Sequence, residues 1–280
     1  MCLAHRPTMS SNFSADSHPP GGVGRGLTSV DCEDIGITKI YTMNIRGLTD
    51  DKERTLVRRM QQQNIDVIAV QETHLYGSGS KILLDLNNIQ FTFVYHGPER
   101  PDGCTRKMAP SNGVGLLLSP KAAKLWDRKE HKFGERLLAL RFGGRRGCMV
   151  GSAYAPHTGR DLEERVAFQD NLLECEAFTK DADRLLIGMD ANATVGMRDA
   201  YNVAAANDVL GRFGRPRRSA SGREFVNTLA TAGMVVVNTF FRKKHYGTWM
   251  HPGTKDWHAL DHFVCKTAKK YGTVGCESGG

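Results

Sequence analysis

Asp190 and Asn192 stand two residues apart at the end of the apolar run Leu185-Leu186-Ile187-Gly188-Met189. On a strand, side chains at i and i+2 face the same side. One carboxylate and one amide therefore project together from a strand end, where open α/β sheets place their ligands. An aspartate can hold a metal or take a proton, and an asparagine can donate to a phosphoryl oxygen. Asp-Ala-Asn is also an ordinary turn sequence, so other stretches must decide. Asn44, Glu72 and Tyr154 also end apolar strand-like runs, and Asp261 adds a carboxylate within a further one. Buried carboxylates without partners are costly, so several converging ones call for a cation between them. Their donors are all hard oxygens, which makes Mg²⁺ the natural ion and Mn²⁺ the alternative. No thiolate or histidine spacing suits a structural zinc site. His251 and His258, near Trp249, read as packing or phosphate-facing residues rather than ligands.

The elements that position these residues are legible in outline. Residues 1–34 are rich in Ser, Gly, Pro and His and read as a disordered leader. A folded domain is expected over 35–280. Ile37–Met43 reads as a strand, followed by a helix capped by Asp50 with Glu53 completing a capping box. That helix carries Leu56, Val57 and Met60 on one side, and Ile65–Val70 is the next strand. Phe91–Tyr95, Val114–Leu118, Leu137–Phe142 and Met149–Tyr154 read as further strands, with a hairpin turn at Gly143–Gly147. Asp161–Thr179 reads as a helix with Leu162, Val166, Leu172 and Leu173 as core candidates. A second helix is expected over Arg223–Thr231, a buried strand at Met234–Val237, and a last strand over Trp257–Val264. Strands, a helix and strands occur twice, before and after about residue 155, which suggests two halves, each a sheet with a helical cover.

The totals narrow the class. The chain has 280 residues, 40% of them hydrophobic, enough for a sizeable core. A net charge of +8 and a pI of about 9.2 favour a polyanionic partner. Met197–Gly222 is loop-like and carries Arg212, Arg215, Arg217 and Arg218 among glycines. It is either a solvated loop or a contact that tracks a phosphate backbone. The seven cysteines are scattered without a C-x-x-C pair, as expected of reduced thiols in an intracellular protein. No apolar run approaches membrane-spanning length, and the N-terminus lacks an apolar signal core.

Five stretches in order carry a resemblance: Thr42-Met43-Asn44-Ile45-Arg46-Gly47-Leu48, Val70-Gln71-Glu72-Thr73-His74, Ala153-Tyr154-Ala155-Pro156, Asp190-Ala191-Asn192-Ala193 and Leu260-Asp261. Together they resemble the endonuclease/exonuclease/phosphatase superfamily. Asn238-Thr239-Phe240-Phe241 and Thr248-Trp249-Met250-His251-Pro252 resemble its craniofacial development protein two-like branch, related to the endonuclease domains of non-LTR retrotransposons. The resemblance implies a DNase I-like α/β fold, a four-layer α/β/β/α sandwich of two packed sheets. It also implies Mg²⁺-dependent cleavage of a phosphodiester in nucleic acid, DNA being expected, and a nuclear role. Glu72 would hold the metal, and Asn44 would orient it or the phosphate. Tyr154 would contact the scissile phosphate, Asp190 would orient and deprotonate water, and Asn192 would stabilise the phosphoryl oxygens. Asp261 would position the histidine of the family's last motif. Arg212, Arg215, Arg217, Arg218 and Trp249 are the candidate nucleic-acid contacts.

Three departures stand out. Ala191 replaces a bulky aromatic, His262 replaces an aromatic after the aspartate, and nothing after Lys266 matches the final Asp-His motif. The domain is therefore expected to lack its last strand and to be a poor catalyst. The competing reading is a non-catalytic nucleic-acid-binding remnant. A third, a phosphoinositide or sphingomyelin phosphatase, suits the basic loop less well.

Overall fold

The apolar runs become the central strands of two six-stranded mixed sheets. The computed structural model describes residues 28–32, 36–103, 109–143, 147–179, 184–198 and 208–266. The first sheet contains β1 (Thr28–Cys32), β2 (Ile37–Asn44), β3 (Val67–Gln71), β4 (Ser78–Leu84), β5 (Gln90–His96) and β6 (Val114–Leu118), in the order β1-β2-β3-β6-β5-β4. The second contains β7 (Trp126–Phe133), β8 (Leu137–Phe142), β9 (Cys148–Tyr154), β10 (Arg184–Asp190), β11 (Met234–Val236) and β14 (Asp261–Lys266), in the order β11-β14-β10-β9-β8-β7. Between β11 and β14 in sequence lies a small hairpin, β12 (Trp249–Met250) and β13 (Trp257–His258). β2 runs parallel to β3, and β9 runs parallel to β10. The other ladders of the two large sheets are antiparallel.

Three apolar clusters fill the spaces between layers. Val67, Ala69, Leu116, Leu138, Val150 and Leu186 lie in the cluster that joins the two sheets. Helix α1 (Asp50–Gln63) covers the first sheet by burying Leu56, Val57 and Met60 among Met43, Ile68 and Leu117. Each such fully buried side chain stabilises the fold by about 1.5–3 kcal/mol. Helices α3 (Leu162–Phe178) and α4 (Ala220–Thr231) cover the second sheet through Phe168, Leu172, Phe225 and Leu229. The result is the expected α/β/β/α stack.

Several local expectations are corrected. Thr49, not Asp50, caps α1, its hydroxyl accepting from the Lys52 amide at 3.4 Å. Glu53 turns instead to the ammonium of Lys81 on β4. In α3, Leu162 and Val166 are exposed while Phe168 and Cys175 join Leu172 in the core. The helix meets the sheet with a different face because Phe168, Leu172 and Cys175 share one stripe at spacings of four and three. Thr28–Cys32, read within the leader, pairs with β2 as β1. The division between halves falls at helix α2 (Pro120–Leu125) rather than near residue 155, because β8 pairs with β9 and so joins the second sheet. Trp257–Val264 is two strands, broken between His258 and Asp261. β14 is paired on both edges, by β10 and β11. The turn at 144–146 and the C-terminal segment 267–280 lie outside the described residues.

Candidate active site

Pairing register builds the site. Asn44 at the end of β2 stands opposite Gln71 on β3, which places Glu72 at the mouth of the same ladder. In the second sheet Tyr154, Asp190 and Asp261 form one row across three adjacent strands, β9, β10 and β14. The two rows meet where the carboxyl ends of both parallel pairs converge. The side-chain amide of Asn44 closes the gap, donating to Glu72 Oε1 at 2.5 Å and to Asp190 Oδ2 at 3.0 Å. Its own Oδ1 accepts from the Arg46 amide at 3.0 Å.

The loops leaving these strands are tightly constrained. Arg46, Glu72, His74 and Asn192 all have positive φ, between 45° and 57°. Non-glycine residues hold this conformation only when their surroundings over-determine it, and such positions gather at functional sites. At Asn192 the reason is visible: its amide donates to Asp190 Oδ1 at 2.8 Å, and its side chain donates to the Ala155 carbonyl at 2.8 Å. At Glu72 the carboxylate lies 3.6 Å from His74 Nε2.

The electrostatics are those of crowded carboxylates. Asp190 is buried, and loss of solvation pushes its pKa upward against hydrogen bonds from Asn44 and the Asn192 amide. Asp261 is pushed up by burial and then by the neighbouring negative charge of Asp190. Tyr154 is raised by burial and by Glu72 and Asp190. Its hydroxyl therefore stays protonated, in contact with both Glu72 and Asn192. The guanidinium of Arg136 lies over the Tyr154 ring, 5.4 Å from its centroid. Arg46 is the cation whose charge acts on both Asp190 and Asp261.

This donor set fits a divalent cation. Glu72, Asp190 and Asp261 bring more negative charge than Arg46 offsets, and Asp261 Oδ1 is buried without a partner among the described residues. No group of three or more metal-ligating side chains forms a ready cage among the described residues. An ion that keeps several waters and takes one or two carboxylates plus substrate phosphate suits such a site. The open cleft above it measures about 310 Å³ and is lined by Asn44, Arg46, Glu72, Asp190, Trp249 and Asp261, among others.

The sequence profile of the Endonuclease/Exonuclease/phosphatase family matches residues 41–278. The chain belongs to this family. Solved structures share the fold at low identity. A 3′ phosphatase from Neisseria bound to a product DNA hairpin is 14% identical with a TM-score of 0.53, covering 83% of this chain and 88% of its own. An AP endonuclease from Archaeoglobus fulgidus is 11% identical with a TM-score of 0.51, over the same shares. The APE2 catalytic domain of Xenopus laevis is 13% identical with a TM-score of 0.52, covering 83% of each chain. No curated protein sequence matches the chain at a significant level.

Within the family fold, Asn44, Glu72, Tyr154, Asp190, Asn192 and Asp261 come together as described, and Trp249 stands at the cleft wall. Its indole packs edge-on against His251, with centroids 5.4 Å apart, and tilted against His258 at 5.6 Å. Those two histidines thus support an aromatic surface. His262 faces away from Asp261, its Nε2 bonding the Ala193 carbonyl at 3.3 Å, and burial lowers its pKa to about 4. The arginines do not act as one group. Arg218 is turned onto its own loop, donating to the carbonyls of Val195 at 2.7 Å and Met197 at 3.3 Å. Arg212, Arg215 and Arg217 remain exposed. Sequence reasoning did not single out Arg46, His74 or Thr248. The signal for the first two was spacing: each lies two residues beyond a site residue, in a segment that leaves its strand. Thr248 gave no such signal; its hydroxyl accepts from the amides of Leu260 at 3.0 Å and Asp261 at 3.1 Å, fixing the start of β14. Among the described residues no helix is long and apolar enough to cross a membrane.

Proposed function

We propose that this chain is a divalent-cation-dependent phosphodiesterase of nucleic acid, an endonuclease-like domain with DNA as substrate and Mg²⁺ as the working ion. The observation that carries this reading is the convergence of Asn44, Glu72, Asp190 and Asp261 on one open cleft. A +8 chain suits a polyanion, and the Neisseria phosphatase of the same fold holds a DNA hairpin. The motif-level likeness to craniofacial development protein two-like and non-LTR retrotransposon endonuclease domains supports retroelement descent and a place of action in the nucleus.

Glu72 would hold the ion with help from Asn44, and the ion would supply charge stabilisation to the phosphoryl oxygens. Asp190, fixed at Oδ1 by the Asn192 amide and at Oδ2 by Asn44, takes a proton from the attacking water. Its raised pKa makes it a better base than a solvated aspartate. Tyr154, kept protonated, donates to a non-bridging oxygen, and Asn192 supports the same charge. Water adds to phosphorus, the P–O bond to the leaving deoxyribose oxygen breaks, that oxygen takes up a proton from solvent, and Asp190 returns its own to solvent. Trp249 offers a face on which a base or sugar can pack.

A second reading, binding without cleavage, is favoured by one observation: His262, the residue after Asp261, is turned onto the Ala193 carbonyl and does not serve the phosphate. Nicking of supercoiled plasmid by the purified chain with Mg²⁺ separates the two. Nicking that Asp190→Ala abolishes supports hydrolysis. Salt-sensitive DNA binding without nicking in the parent supports the second reading.

A further inference from the structure

One layer beneath the active site lies a polar cluster inside an otherwise apolar interface between the sheets. Gln71 is fully buried, and its Nε2 lies 3.0 Å from Ser152 Oγ, 3.2 Å from the Gly188 carbonyl and 3.1 Å from Thr42 Oγ1. The Thr42 hydroxyl lies 3.3 Å from Gln71 Oε1, and the Ser152 hydroxyl donates to the Val70 carbonyl at 2.8 Å. One assignment of hydrogens satisfies these side chains. The two amide hydrogens go to Ser152 and Gly188, the Thr42 hydroxyl donates to Oε1, and the Ser152 hydroxyl serves Val70.

The placement of this cluster is regular. Thr42, Ser152 and Gly188 each lie two residues before a site residue on the same strand: Asn44, Tyr154 and Asp190. Period-two geometry puts each pair on one face. Gln71 itself immediately precedes Glu72. The cluster thus touches all four strands, β2, β3, β9 and β10, whose ends hold Asn44, Glu72, Tyr154 and Asp190. Gly188 lets the layers close here, since a Cβ on it would stand 2.7 Å from Thr42 Cβ. An apolar filler would serve burial as well as Gln71 does, since buried polar networks give little net stability over good apolar packing. What directional bonds add is a fixed distance and register between sheets that otherwise touch through non-directional apolar contacts.

We infer that Gln71 is a positioning residue that sets the separation between the Asn44–Glu72 side of the cleft and the Tyr154–Asp190 side. The inference rests on the proposed phosphodiesterase only for its effect on metal and rate. It predicts that a side chain of similar length without the amide leaves the fold intact but lets the two rims move apart.

The test is Gln71→Met in the full chain, read by amide hydrogen exchange and by calorimetric titration with Mn²⁺. The expected result is faster exchange at the Ile45 amide on the first sheet and at the Ala155 and Ala191 amides on the second, with little change in the core of α1. Mn²⁺ affinity should fall about tenfold or more, the usual cost of losing a partner that orients a ligand, while metal-free DNA affinity stays unchanged. A merely structural residue would lower the melting temperature without moving the two rims together. Faster exchange confined to β3, or unchanged Mn²⁺ affinity in a parent that binds the ion, would overturn the inference. A parent that binds no Mn²⁺ defeats the metal assignment instead, and the exchange pattern then decides the role of Gln71 alone. Should Gln71→Met fail to fold, Ser152→Ala removes one arm of the cluster and is judged by the same two-rim pattern.

Discussion

Asp190 and Asp261 stand directly opposite one another across the antiparallel β10–β14 ladder. Directly opposed residues share a face of the sheet, with Cβ atoms close enough to interact, and like charges there are destabilising. Both carboxyls are buried. The metal-free protein therefore holds two carboxylates where the sheet alone would favour none. This relationship makes stability depend on pH and on cations in a direction that can be worked out.

The pKa of each of these carboxyls is raised in the folded protein, by burial first. A group raised on folding binds more protons in the native state, so its contribution to stability falls as pH rises from the ordinary carboxylate range, near 4, towards the raised value. In chelator, Asp261→Asn should therefore raise the melting temperature at pH 8 by a few degrees, at roughly 2–4 °C per kcal/mol for a domain of this size. The gain should be much smaller at pH 5, where the parent carboxyl is already largely neutral. His262, lowered to about 4, works the other way, since the unfolded state takes up a proton below about 6.5. It does so equally in parent and variant and cancels in the comparison. A gain of equal size at both pH values would show that Asp261 is not strained by its charge.

Glu72 is the half-buried rim carboxylate through which an ion would enter, and Asn44 and His74 flank it. Glu72→Ala is expected to abolish Mn²⁺ binding in calorimetric titration while leaving metal-free DNA affinity unchanged. Binding that survives the substitution would move the metal site to Asp190 and Asp261.

DNA affinity should depend on Arg212, Arg215 and Arg217, which are exposed, and not on Arg218, whose guanidinium bonds Val195 and Met197. Alanine at the first three together should flatten the plot of log affinity against log salt by roughly two to three, if each meets a phosphate. Arg218→Ala should instead lower the melting temperature with the slope unchanged. If the triple substitution leaves the slope intact, this loop faces away from the nucleic acid.

The strands that carry the site were legible because apolar runs ending in Asn44, Tyr154 and Asp190 signal both burial and a polar terminus. The partners of these residues were not, because register between strands distant in sequence leaves no local mark. The opposition of Asp190 and Asp261 is one case. Three edge strands were missed. β1 falls in the segment read as a leader, β4 opens on Ser78-Gly79-Ser80-Lys81, and β7 runs through six polar residues between the buried Trp126 and Phe133. The α1 cap was misplaced by one residue because Thr49-Asp50-Asp51 offers three acceptable capping side chains in a row. Gln71 was read only as a neighbour of Glu72. Its role is written in contacts to Ser152 and Gly188, 81 and 117 residues away in sequence.

Asn44 offers the sharpest test of how the cleft is balanced. Its side-chain amide is a neutral donor between two carboxylates, 2.5 Å from Glu72 Oε1 and 3.0 Å from Asp190 Oδ2. Asn44→Asp keeps size and shape but replaces that donor with an acceptor. Two hydrogen bonds to charged groups are lost, each worth about 1.5–3 kcal/mol, and a like charge is added. The metal-free variant should melt several degrees below the parent at pH 8, at roughly 2–4 °C per kcal/mol. A divalent cation should restore most of the difference, because an added carboxylate becomes a ligand once the ion is bound and stabilisation then grows with ion concentration. Thermal melts of parent and variant across a Mn²⁺ series measure both effects. A variant as stable as the parent in chelator would mean that the two hydrogen bonds from Asn44 do not stabilise the paired carboxylates. A destabilised variant that gains no more from Mn²⁺ than the parent does would place the ion away from Asn44.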